Sequence, residues 1–230
     1  MAVSTRTSSI GGHQREPSGT LRLSVPTSYG HKRVLPLLPA FRARYPRVEI
    51  DVHVSNRSVD FAAEGFDVAI RILPPSDSSL VVRKLEDAAF VVVAAPGYLR
   101  RAGTPQTIAD LQQHECIQFL RPASGRPLPW YLHEDGREQE IVTAGSYCVS
   151  DDVTGCITLL RHGAGLLQTL RFMVEDELRD GTLVKVMSHC AGSARPVSLL
   201  YPHRRALPLR VRVFIDFIVE KSTAWRRAKL

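Results

Sequence analysis

Polar side chains able to hold an anion stand at the ends of successive apolar runs in this chain. Thr27 and Ser28 follow "TLRLSVP", Ser55 and Asn56 follow "RVEIDVHV", and Arg71 lies one step before the end of "DVAIRI". Hydroxyls, a side-chain amide and a guanidinium fork are the groups that meet a carboxylate through directed, charge-assisted hydrogen bonds. Each also has a local reading. Thr27 or Ser28 can act as a helix cap and nothing more, and Arg71 can pair with Glu64 or Asp67, its acidic neighbours in sequence. The readings diverge on whether these ends converge in space, which depends on the elements that carry them.

"TLRLSVP" alternates and is bounded by turn residues, so it reads as a strand. "RVLPLLPAFRARYP" places Val34, Leu35, Leu38, Phe41 and Tyr45 at helical spacing. Pro36 and Pro39 are compatible only with the first turns of a helix, which should end at Tyr45 before Pro46. "RVEIDVHVS" alternates over Val48, Ile50, Val52 and Val54, a half-buried strand suited to a sheet edge. "SVDFAAEGF" is a short helix closed by Gly65, and "DVAIRI" is the next strand. The run is βαβαβ, the pattern of a parallel sheet with crossover helices, and such sheets bind ligands outside the carboxyl ends of their strands.

Beyond it, "SLVVRKLEDAAFVVVAAPGYL" predicts two strands, and "TPQTIADLQQHECIQFL" a helix and a strand. Residues 121–146 read as loop and hairpin. A helix should begin at Ser150 or Asp151, with Val153, Ile157 and Leu160 on its apolar stripe, and leave through the Gly-x-Gly of "GAGLL". "MVEDELRDGTLVKVM" predicts helix, turn and strand, "PVSLLYP" a strand, and "LPLRVRVFIDFIVEKS" a closing helix.

The 230 residues are 44% hydrophobic and 23% charged, the range of an ordinary globular chain. Apolar runs such as "AAFVVVAA" are far shorter than the ~20 residues of a membrane-spanning helix, so no membrane partner is expected. The opening "MAVSTRTSSIGGHQREPSG" lacks the apolar core of a secretory signal, reads as disordered over residues 1–18, and leaves a cytoplasmic protein as the expectation. The net charge of +7 permits attraction to small anions or nucleic acid, but the basic clusters do not alternate with aromatics as a single-strand binder requires. Cys116, Cys148, Cys156 and Cys190 form no C-x-x-C pair and should be reduced and mostly buried. No nucleophile elbow, H-E-x-x-H pair or phosphate-binding loop is present, and His189 beside Cys190 is a poor metal pair, so neither an enzyme, a metal nor a cofactor is expected.

The stretches "GTLRLSVPTSYG", "LLPAFRARYPRVEIDVHVSNRSVDFAAEGFDVAIRI", "SSLVVRKL", "AAPGYLRRAGTPQTIADLQQHECI", "GAGLL", "LRDGTLVKV" and "YPHRRALPLRVRVFIDFI" together resemble the effector-binding domain of LysR-type transcriptional regulators, over about Ser18 to Glu220. The resemblance implies an α/β fold of two Rossmann-like subdomains joined by two crossover strands, like the type 2 periplasmic binding proteins. The crossovers would lie near residues 90–96 and 196–202. Subdomain I would comprise 19–96 plus 202–230, and subdomain II 97–201. A small-molecule effector with a carboxylate at one end and a polar group at the other would bind between them and regulate transcription.

From subdomain II the matching positions are Phe119 and Arg121, at the end of "CIQFL", and Asp151 at the helix start, where an N-cap is the plainer role. The resemblance also implies a homodimer or larger homo-oligomer, built on "RVEIDVHV" and the helix near "LLPAFRARYP". In this family DNA is read by an N-terminal helix-turn-helix, and nothing of that kind precedes Gly19, so direct DNA binding by this chain is not expected. The family usually carries a proline several residues after the Gly-x-Gly turn. Here the chain reads "LLQTLRF", which should reshape one wall of the cleft. The competing readings are a free-standing solute-binding protein, which would need export, and a truncated regulator that titrates full-length partners.

Overall fold

The computed structural model describes residues 16–57, 60–72, 79–121, 124–191, 193–203 and 206–227. Residues 1–15 of the expected leader lie outside them. The βαβαβ unit forms as read. Strand β1 (Gly19–Val25) pairs in parallel with β2 (Val48–Val54) and with β3 (Val68–Ile72), and β2 is the edge of the sheet.

The chain turns helical directly after β1 and stays so to Arg44. Helix α1 (Thr27–Tyr29) runs into a wide π turn (Gly30–Val34), a 3-10 turn (Leu35–Leu37) and helix α2 (Leu38–Arg44). The prolines explain the changes of pitch. Pro36 and Pro39 each fall within the first two positions of a new helical segment, where a missing N–H leaves no carbonyl unpaired. Helix α3 (Phe61–Glu64) is capped by Asp60, whose carboxylate accepts from the Ala62 and Ala63 N–H groups, and it closes at Gly65 with φ +68°.

Residues 80–94 form one strand, β4 (Leu80–Ala94), where two were expected. The stretch carries the charged "RKLED" within it. Its Arg83 and Lys84 face solvent, and a bulge opposite Val197/Ser198 lets the ladder continue past Leu85. Up to Ala89, β4 pairs with β11 (Ala194–Pro202), which pairs in turn with β3. From Phe90 onward it pairs with β9 (Leu166–Leu170) and β10 (Val184–Val186). The resulting mixed sheet has the order β10-β4-β11-β3-β1-β2, with β9 on the other side of β4.

The second half of β4 is continuously apolar because both its faces are covered. Val91 and Val93 join the large core with Leu160, Leu167 and Phe172, whereas Val92 and Ala94 pack with Tyr98, Trp130 and Leu132. Tyr98 lies on α4 (Pro96–Ala102). A 3-10 turn (Ala109–Gln113) leads to β5 (Gln118–Leu120), where an α-helix was expected. The hairpin β6 (Trp130–Glu134) and β7 (Arg137–Ile141) follows, and then β8 (Cys148–Ser150), which pairs with β5. Helix α5 (Val153–Arg161) precedes β9, α6 (Glu175–Asp180) precedes β10, and α7 (Leu209–Arg227) closes the fold with Val211, Phe214, Ile215 and Ile218 buried.

Gly165 in "GAGLL" is where β9 passes the segment before β5, and a Cβ there would strike the Glu115 carbonyl, which is backbone and cannot swing aside. Gly165→Ala should therefore cost ~1–3 kcal/mol by urea denaturation. Gly97→Ala, in a helix with only the tip of Arg100 nearby, should be neutral or stabilising.

His114 carries a pH signature. The Tyr98 hydroxyl accepts from the Glu115 N–H at 3.0 Å and shares a hydrogen bond with His114 Nδ1 at 2.9 Å. Burial holds the imidazole below its ordinary range, against a smaller opposing pull from Asp110. A base depressed in the fold binds fewer protons than in the unfolded chain, so its contribution is complete above ~pH 6.5 and is lost as pH falls below it. The drop in denaturation midpoint between pH ~7.5 and ~5.5 should be smaller in His114→Gln than in the parent.

Candidate functional site

A cavity of about 280 Å³ opens at the carboxyl ends of β1 and β3, near the lower end of the size range of small-molecule sites. Ser28, Asn56, Arg71 and Phe119, all expected from the sequence, line it. Thr27, Ser55, Arg121 and Asp151 do not, each for a local reason.

Thr27 contributes its backbone: its N–H donates to Asn56 Oδ1 at 3.1 Å. The Ser55 hydroxyl is turned to the Arg57 N–H at 3.2 Å. Arg121 is exposed, in a turn where its N–H donates to the Arg126 carbonyl. Asp151 is not the cap of α5. That position belongs to Asp152, whose carboxylate accepts from the Thr154 N–H at 3.0 Å, while Asp151 takes a left-handed conformation, φ 63°, and offers its carbonyl to Asn56 Nδ2 at 2.6 Å. Adjacent aspartates are equivalent by type, and the one with extended backbone becomes the cap.

Asn56 therefore ties the start of α1 to the segment before α5 through both ends of its amide. Each of these bonds should contribute ~0.5–1.5 kcal/mol. Asn56→Ala should lower the unfolding free energy by ~1–2 kcal/mol in urea denaturation, and Ser55→Ala by distinctly less.

Arg71 makes no salt bridge with Glu64 or Asp67. Glu64 reaches Arg57 at 3.4 Å and the Asp60 N–H at 2.9 Å, and Asp67 accepts from the Arg22 N–H and lies 3.7 Å from Arg210. The Arg71 guanidinium is held by neutral acceptors: the Ser24 hydroxyl at 2.7 Å and the carbonyls of Ile70, Arg57 and Ser24 at 2.6, 2.9 and 3.3 Å. Its Nε is buried with no partner among the described residues. Burial lowers its pKa to about 10, the nearby Glu64 charge offsetting only part of that. The group stays cationic at neutral pH, in surroundings that would favour an incoming anion.

The rest of the wall comes from residues that pattern reading passed over. Phe90 and Tyr131 stack at 5.6 Å and 22°, and the Arg195 guanidinium lies 4.0 Å from the Tyr131 ring and 5.5 Å from that of Phe90. Arg195 is also held by both carboxylate oxygens of Glu138, at 3.1 and 3.3 Å. That contact raises its pKa and lowers that of Glu138. Gln168 clamps the hairpin, accepting from the Tyr131 N–H at 2.7 Å and donating to the Tyr131 carbonyl at 2.8 Å. Gln168 and Thr169 belong to "LLQTLRF", so that departure does fall on a cleft wall. The usable signal for Arg195 was its place immediately before "PVSLLYP", residues 196–202, the strand expected to cross between subdomains.

The buried cysteine thiols offer little nucleophilicity. Burial pushes Cys116 and Cys156 up to about 12, and Cys190 upward too, while Cys148 is exposed. Among the described residues, no group of three or more His, Cys, Asp or Glu is placed to hold a metal ion, and no helix is long and apolar enough to cross a membrane.

Comparison with known proteins gives a consistent result. The family profile described as the LysR substrate binding domain matches residues 14–223. The probable HTH-type transcriptional regulator LtrA of Klebsiella pneumoniae is 30% identical over 94% of this chain and 70% of its own length. An HTH-type transcriptional repressor of Pseudomonas aeruginosa is 31% identical over 92% of this chain and 66% of its own length. The chain thus spans about two thirds of these curated relatives. The regulatory domain of CrgA from Neisseria meningitidis superposes with a TM-score of 0.79 at 25% identity, covering 89% of this chain and 99% of that one.

Proposed function

The chain belongs to the LysR substrate-binding domain family, and from that footing we propose that its cavity is an effector site for a small carboxylate, with the carboxylate at Arg71 and the Ser28 hydroxyl beside it. The observation that carries this reading is the half-buried guanidinium whose hydrogen-bond partners among the described residues are all neutral. An isolated cation there costs desolvation energy that a bound anion would return. Ser28 is nearly buried and lines the same cavity.

Effector binding would bring together two lobes. The change of partners on β4 between Ala89 and Phe90, with the start of β11 at Ala194, supports hinges there, several residues before the expected boundaries at 96 and 202. The cavity draws residues from both sides of those points, so an occupant would bias the angle between the lobes. A homodimer on the open edge of β2 would pass that bias on. DNA contact is assigned to a helix-turn-helix of the kind for which the relatives are named, and the setting to the cytoplasm.

A thermal-shift screen of small carboxylates tests the site. A ligand at 100 times its Kd should add ~2.7 kcal/mol of stability. Arg71→Met should stay folded and lose at least ~10-fold in affinity for every carboxylate hit, the equivalent of ~1.4 kcal/mol. Unchanged affinity in that variant would remove Arg71 from the site.

A further inference from the structure

Among the residues that line the cavity, Arg71 and Arg195 carry charge, and they differ in one respect. Among the described residues Arg71 has neutral acceptors alone, whereas Arg195 is gripped by both oxygens of Glu138. Glu138 comes from the hairpin strand β7, Arg195 from β11, and Tyr131, on which the Arg195 guanidinium stacks, from β6. The cation at this end is thereby already spent. What it presents to the cavity is a flat, neutralised face continuous with the Phe90–Tyr131 stack.

The spacing between the two ends follows from strand register. Arg71 is opposite Ser198 on β11, and Arg195 is three residues from Ser198, on the order of 10 Å along the strand at ~3.3 Å per residue. A ligand anchored by one carboxylate at Arg71 has room for about one ring before it meets the aromatic wall. Phe119, Leu128 and Met173 make the space between apolar. Faces of this kind favour an aromatic ring, through offset stacking on Phe and Tyr.

Resting on the carboxylate reading above, we infer that Glu138 sets the ligand class: by neutralising Arg195 it restricts the cavity to aromatic monocarboxylates and excludes aromatic dicarboxylates. A second carboxylate at the far end would have to compete with Glu138 for Arg195, and would meet the Glu138 charge at close range. Selectivity here comes from a repulsive element as much as from an attractive one. Removing the Glu138 charge while keeping its shape would free the Arg195 fork for a bidentate contact with such a group.

The experiment is a calorimetric titration of the full chain with 4-methylbenzoate and terephthalate, which differ by a methyl in place of the second carboxylate. The parent protein should bind 4-methylbenzoate at least ~10-fold more tightly than terephthalate. Glu138→Gln should shift that ratio at least ~10-fold toward terephthalate, and Glu138→Ala should shift it in the same direction, with melting curves verifying that both variants are folded. A ratio unchanged in both variants, or a parent protein that prefers terephthalate, overturns the inference. Those outcomes leave the effector-site reading standing as long as Arg71→Met still lowers carboxylate affinity by at least ~10-fold. Failure of the parent to bind any carboxylate, these two included, overturns both.

Discussion

The backbone of Leu80–Ala94 is hydrogen-bonded to one set of strands over its first part and to another over its second. Arg71, Phe90, Gln168 and Arg195 wall the cavity from strands that pair with that shared strand, belong to it or reach it through β11. A ladder of this length is rigid within each part and weakest where its partners change, between Ala89 and Phe90. Phe90 is itself a wall residue, so the point of weakest pairing and the cavity coincide.

Electrostatics adds the second constraint. The fold satisfies Arg71 with carbonyls and a serine hydroxyl, good hydrogen-bonding partners that supply no opposing full charge. Arg195 has the opposite arrangement, with a carboxylate in bidentate contact and an aromatic ring beneath it. One cation is left poorly compensated and the other is closed off. That asymmetry gives the cavity a direction, with charge at one end and π surface at the other.

Much of this was legible in the residues. The alternation of "RVEIDVHV", the Gly65 exit and the order of the first strands led to a parallel βαβαβ unit with β2 at its edge, and Ser28, Asn56, Arg71 and Phe119 do share one cavity. These signals are local: an alternating strand reports its own faces, and a glycine reports its own φ. The reading failed where a residue's role depends on something distant. Asp151 and Asp152 are indistinguishable by type, and the backbone conformations that make Asp152 the cap, with the Asp151 carbonyl turned to Asn56, are not encoded in either residue. Two strands were expected over "SLVVRKLEDAAFVVVAAPGYL" because nothing local in it reports that β4 bulges at Leu85 and keeps its pairing with β11.

The sequence by itself determined the elements, their order and the presence of an arginine near a strand end, since each follows from periodicity, turn chemistry and chain geometry over a few residues. Only the tertiary structure decided that Arg71 meets neutral acceptors among the described residues while Arg195 meets a carboxylate, and that the hairpin and β11 complete the wall. Glu138 and Arg195 are separated by more than fifty positions. Whether two charges neutralise each other depends on a few ångströms of separation, which no pattern along the chain encodes.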